Sequence, residues 1–228
     1  MRKLLIFLLV LVLLVVGTDF AGRAIAESKA GEAIGAKAGI APDVDIHGFS
    51  FLAQALPGNY SHITLTAADQ RLGPVTGVLT TIDLYDVRLP LKDAIAGDVS
   101  SLTAGRAELH ATIPAAVIGT AIGIPGLALD LAGDGSTVVT VPVTVAGQTV
   151  TAKAALKIGV SGDNLHLVAS ALPGTPTVPG LGSVLGKLSL DLPLTDLPFT
   201  LTGASVTSRA GAVELSAQAS NVTVASLR

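Results

Sequence analysis

A chain of 228 residues with 14 basic and 17 acidic side chains has a net charge of −3, which lacks the clustered cations that nucleic acid requires and excludes it as a partner. It contains no cysteine, and this removes a lipid-modified cysteine, a disulfide framework, a thiol nucleophile and a thiolate metal site. Half of its residues are hydrophobic and its mean hydropathy is +0.66, a surplus that fits either an alanine and valine bias or apolar surface lining a cavity.

Arg2 and Lys3 precede an unbroken apolar run, Leu4–Val16, the size of a signal-peptide core and shorter than the ~18 residues of a comfortable membrane span. The protein is therefore expected to be exported to the periplasm or cell envelope. Residues 1–26 read either as a signal peptide cut at Ala24-Ile25-Ala26 or as an anchor held in the cytoplasmic membrane by Leu4–Val16. Asp19 and Arg23 are unusual so close upstream of a cleavage site. Residues 27–228 read as one domain, because no charged or low-complexity linker divides them. A helix is expected over 19–40, where Phe20, Ala24, Ala30, Ile34 and Ala38 alternate with Arg23, Glu27, Lys29, Glu32 and Lys37. Gly31, Gly35 and Gly39 recur every fourth residue. With this much charge they suit close approach to a sheet rather than pairing in a membrane, at about 1 kcal/mol of helix propensity each.

Residues 42–60 concentrate the few rings of a chain with five Phe, two Tyr and no Trp. Val44 and Ile46 alternate with Asp43, Asp45 and His47, so a short strand has one apolar and one wet face. Gly48 breaks the alternation, and Phe49, Phe51, Leu52, Leu56 and Tyr60 form an apolar plug. The series Val44, Ile46, Gly48, Phe49, Phe51, Leu52, Gln54, Leu56, Gly58 and Tyr60 resembles the pattern of the LmeA-like phospholipid-binding family of the actinobacterial cell envelope. Ser50 stands where that pattern usually has proline. The resemblance extends to the apolar leader and following helix, to Val87-Arg88-Leu89-Pro90-Leu91, and to the β-rich remainder. It implies an α+β fold, an N-terminal helix on a strongly curved antiparallel sheet, elongated and similar to the tubular (BPI-like, TULIP) lipid-binding proteins, with an apolar groove for acyl chains. It also implies a role in mannan or lipomannan maturation.

Beyond residue 59 the dominant period is two. Strands are expected at 60–68, 76–89, 98–112, 136–146, 148–160, 163–170, 188–195, 197–208 and 211–224, an antiparallel, hairpin-rich arrangement. Val139, Val141, Val143 and Val145 share one face, as do Val150, Ala152, Ala154, Leu156, Ile158 and Val160. Asp134-Gly135, Ala146-Gly147-Gln148 and Gly162-Asp163-Asn164 have turn chemistry. Pro114–Ile122 is apolar all round and opens with proline, so a short buried helix is expected. Residues 173–180 are a Pro/Gly loop, and Leu181–Leu188 reads as a second short helix.

Residues suited to catalysis are scattered. His47, His62, His110 and His166 fall in different expected strands. Asp43, Asp45 and His47 share a strand face, but same-face neighbours lie about 7 Å apart and converge poorly on one ion. No Gly-x-Ser-x-Gly pentapeptide occurs, the glycines of 180–186 lack a phosphate-loop spacing, and Asp191 and Asp196 lack the aromatic platforms of a sugar site. No enzyme activity, cofactor or metal is expected. What remains is apolar capacity, since each methylene withdrawn from water is worth ~0.8 kcal/mol. Phe49, Phe51, Leu52, Leu56 and Tyr60 are the candidate lipid-contact residues, with Val117, Ile118, Ile122 and Ile124 as a second wall. Arg88, Lys92, Lys153 and Lys157 are head-group candidates, against the plainer reading of surface cations. The expected partners are a phospholipid, with phosphatidylinositol-type lipids as one candidate, a membrane surface, and envelope mannosyltransferases. The alternative is a secreted β-rich module that docks an envelope glycosyltransferase and uses its apolar faces only as core.

Overall fold

The computed structural model describes residues 2–38, 42–72, 75–132, 136–145, 148–161, 164–172, 181–193 and 203–223. Gly39, the expected turns at 134–135, 146–147 and 162–163, the loop 173–180 and Asp196 lie outside them. The elements are, in order, α1 (Arg2–Ala38), β1 (Asp43–His47), α2 (Phe51–Ala55), β2 (Asn59–Leu72), β3 (Val75–Arg88), α3 (Leu91–Ala96), β4 (Thr103–Pro114), α4 (Ala115–Ala121), β5 (Ala128–Leu131), β6 (Thr137–Val145), β7 (Gln148–Ser161), β8 (Asn164–Ala171), α5 (Leu181–Leu188), β9 (Leu190–Pro193), β10 (Gly203–Arg209) and β11 (Ala212–Thr223). The expected α+β class holds, with antiparallel pairing in two open sheets ordered β1-β2-β3-β4-β11-β10 and β5-β6-β7-β8-β9. The chain forms two compact units, residues 1–67, 81–108 and 219–228 in the first and 68–80 and 109–218 in the second.

In the first unit, α1 is a single helix of 37 residues that incorporates the apolar leader; the first proline after it is Pro42, which disfavours further helix. Its inward stripe, Asp19, Gly22, Arg23, Ala26, Glu27, Ala30, Gly31 and Ile34, repeats at steps of three and four. Gly31 is where close approach is needed, since a Cβ there would lie 2.8 Å from the Pro42 carbonyl oxygen. β1 pairs with β2 so that Val44 faces Leu65 and Ile46 faces Ile63 across the register. Val44 and Ile46 are buried while Asp43 and Asp45 are exposed, as the alternation requires. Among the described residues no helix is long and apolar enough to cross a membrane.

In the second unit, the meander β5 to β9 turns one aliphatic face inward. Val139, Val141 and Val143 of β6 are buried, as are Ala152, Ala154 and Leu156 of β7. Val141 lies opposite Ala152 and Val139 opposite Ala154, so each branched side chain meets a small one and the layer fills. α4 packs on β5, α5 on β8, and β10 lies against β5 and β7.

Three elements went unforeseen, α2, α3 and β5, and one expected strand begins late. The span 98–102 is a turn, because Asp98 Oδ1 accepts from the Ser100 N–H at 2.9 Å and Leu102 N–H donates to Val99 O at 3.1 Å. Asp69 in β2, Asp86 in β3 and Asn221 in β11 have φ between 53 and 56°. Left-handed backbone inside a strand is the conformation of one class of β-bulge, which bends a strand and increases its twist.

Candidate functional site

The plug of the first unit is built on a tertiary helix cap. Gly48, at φ +130°, turns the chain out of β1, and Ser50 caps α2 by accepting from Ala53 N–H at 3.2 Å. Asp19 of α1 then reaches the same helix start. Its carboxylate accepts from Ser50 Oγ at 2.8 Å, Phe51 N–H at 3.0 Å and Leu52 N–H at 2.8 Å. These backbone donors are the ones a helix leaves unpaired at its N-terminus. They hold the Asp19 carboxyl below its ordinary range, Leu52 most strongly, then Phe51, with smaller help from Ser50 and Arg23 and opposition from desolvation. Gln54 closes the other side. Its amide nitrogen donates to His47 O and Ser50 O, and its Oε1 accepts from Ser61 N–H at 2.9 Å.

This frame distributes the five candidate rings and aliphatics unevenly. Tyr60 is buried, and its hydroxyl is pushed up in pKa by that burial; its ring lies 6.4 Å from that of Phe51. Phe51 and Leu52 are half-buried, Phe51 against Gly22 of α1, where a Cβ would come within 3.4 Å of the ring. Phe49 and Leu56, at either end of α2, are exposed to 107% and 70%. Leu89 N–H donates to Gly58 O at 2.9 Å, which ties the end of β3, with exposed Arg88 and with exposed Lys92 on α3, to the chain leaving α2.

A second cluster on the same unit was not anticipated. The rings of His47 and His62, register partners on β1 and β2, stack at 4.3 Å, His62 stacks on Tyr85 at 4.6 Å, and the Arg106 guanidinium lies 4.3 Å over Tyr85. Beneath the stack, Asp83 accepts from Thr64 Oγ1 at 2.7 Å and pairs with His62 Nε2 at 2.8 Å, and Thr64 Oγ1 is 2.8 Å from His47 Nε2. The signal was present only as pairing: four strands had to be set in register before these four residues became neighbours. Among the described residues no group of three or more His, Asp or Glu side chains is arranged to hold a metal ion.

In the second unit, Ile118 and Ile122 of the expected second wall join Leu127, Leu129, Val139, Leu156, Leu167 and Leu188 around one void. Every lining residue is aliphatic. The void is about 10 Å³, room for no more than one water molecule. Ile124 is buried nearby, and Val117 turns instead to an open depression of about 250 Å³ with Thr76, Ala116, Thr120 and Ala121. Lys153 and Lys157 are exposed on β7. The side chains of Val145, Val160 and Asp191 lie outside the described residues.

A family model described as LmeA-like phospholipid-binding matches residues 17–218. No curated protein matches the chain, and no solved structure does.

Proposed function

The chain belongs to the LmeA-like phospholipid-binding family, and from that membership we propose that it is a non-enzymatic, exported protein that takes up phospholipid acyl chains in an apolar groove. The observation that carries the reading is the all-aliphatic void bounded by α4, α5 and the five-stranded sheet. Burial of methylenes supplies the affinity there, and no polar group is needed inside. At about 10 Å³ the void is too small for an acyl chain, so uptake requires α4 or α5 to part from the strands they cover. Left-handed residues inside β2, β3 and β11 support a strongly curved sheet of the kind the family resemblance implies. Arg88, Lys92, Lys153 and Lys157 supply exposed cations for an anionic head group, phosphatidylinositol-type lipids included. By the same resemblance, the service is to mannan or lipomannan maturation outside the cytoplasmic membrane, beside the envelope mannosyltransferases.

The small size of the void favours a second reading, a module with a dry core that docks an envelope glycosyltransferase without holding lipid. The two part on one experiment. The full chain is extracted from membranes in mild detergent, exchanged into a detergent that native mass spectrometry removes, and its adducts are identified after organic extraction. A stoichiometric phospholipid adduct supports the carrier. A clean protein mass that persists after incubation with anionic phospholipid supports the docking module.

A further inference from the structure

The residues that make the leader a poor signal peptide are the ones that bind it to the folded unit. Asp19 receives three hydrogen bonds from residues 50–52. Gly22 makes room for Phe51. Arg23 Nε donates to Glu27 Oε1 at 2.8 Å, and that same oxygen accepts from the Ile46 N–H of β1 at 2.8 Å. A cut at 24–26 would pass between Arg23 and Glu27, removing Asp19 and half of this docked face.

Around the rest of its circumference the same helical stretch carries no charge. Val16, Phe20 and Ile25 are exposed, the last two to 69% and 63%, and the only charges between Val16 and Ile25 are Asp19 and Arg23, both turned inward to partners. Flanking the docked stripe, these side chains continue the run Leu4–Val16 without a charged break. That run alone makes about 20 Å of helix at 1.5 Å per residue, against a hydrocarbon thickness of about 30 Å. At its end Asp19 fixes the start of α2 about one turn past Val16, next to the exposed Phe49, and α2 carries the exposed Leu56 at its far end. Exposed Arg88 and Lys92 are carried by the segment bonded to Gly58, where cations suit anionic lipid phosphates.

We propose that the leader is retained and that this end of the first unit sits in a lipid bilayer, with Leu4–Val16 in the hydrocarbon and Phe20, Ile25, Phe49 and Leu56 in the interfacial layer. Large apolar side chains in that layer extend the reach of a helix too short to anchor comfortably by itself. The inference concerns residues of the first unit only. It holds equally if the second unit carries an acyl chain or has a dry core.

The chain has no tryptophan, so a single introduced indole reports its own surroundings. The full chain is expressed in an exporting bacterium, its intact mass is measured, and the variants Phe49→Trp, Leu56→Trp and Val168→Trp are reconstituted in vesicles of phosphatidylcholine and phosphatidylglycerol. Val168 is an exposed residue of β8 and serves as the solvent reference. Expected are the mass of the uncut chain, blue-shifted emission at positions 49 and 56, and quenching there several-fold stronger by lipids brominated near the carboxyl end than at position 168. A chain shortened at 24–26 would overturn the proposal. So would emission at 49 and 56 that matches position 168, or a blue shift that brominated lipid leaves unquenched and dilution reverses, which would assign the surface to a second copy of the chain.

Discussion

Asp19 lies just beyond an apolar run and accepts hydrogen bonds from residues as far as 33 positions along the chain. No local pattern foretells such a partner; the legible part was only that a carboxylate in that place needs a reason. Because Asp19 is held below its ordinary value of 3.8, the folded value lies under the unfolded one. Its contribution is therefore complete above the unfolded value and lost as pH falls through the folded one. Amide protection at Phe51 and Leu52 should be flat from neutral pH down to about 4 and weaken below it, and Asp19→Asn should start lower and lose the acid limb. Hydrogen exchange across that range measures both. Gly58 offers a test of backbone geometry: at φ +71°, a Cβ there would lie 2.6 Å from the Leu89 carbonyl oxygen. Gly58→Ala should cost on the order of 2 kcal/mol in urea unfolding, combining left-handed strain with a clash neither backbone can avoid.

At the level of elements, alternation revealed strands wherever one face is buried, and the structure returns β2, β3, β6, β7, β8 and β11 close to those limits. The short elements escaped because they span less than a period's worth of evidence. α3 is six residues, under two turns, and its signals were the punctuating Pro90 and Gly97 rather than any apolar stripe. β5 is four residues between a Pro-Gly and a Gly-Asp pair, where alternation has hardly begun. The cross-strand stack was illegible for another reason, since His47, His62, Tyr85 and Arg106 meet only through pairing. Tyr85 is the joint of that row, touching an imidazole on one side and a guanidinium on the other. Tyr85→Ala should therefore lower stability by about 1–2 kcal/mol. In a double-mutant cycle, Tyr85 should couple to Arg106 and to His62, whereas two independent surface residues would simply add.

Across the whole molecule, the apolar surplus seen in the composition resolves into two kinds of surface: exposed aliphatics on both units, joined on the first by the exposed rings of Phe20 and Phe49, and a small aliphatic void in the second. Composition could not separate a packed core from a lined groove, because both demand the same residues at the same period. Removing a lining side chain separates them. Leu156 is buried at the void, and Leu156→Ala should destabilise the lipid-free protein by about 2–5 kcal/mol, the transfer loss plus the cost of the enlarged cavity. If α4 and α5 part to admit an acyl chain, the ligand fills the new space, and adding short-chain phosphatidylglycerol should restore the melting temperature progressively with concentration, as binding to the folded state alone requires. The recovery should be larger in the variant than in the parent chain, whose void leaves less to fill. In a dry core the cavity has no entrance wide enough for a chain attached to a head group, and the deficit in the melting temperature would stay constant at every lipid concentration.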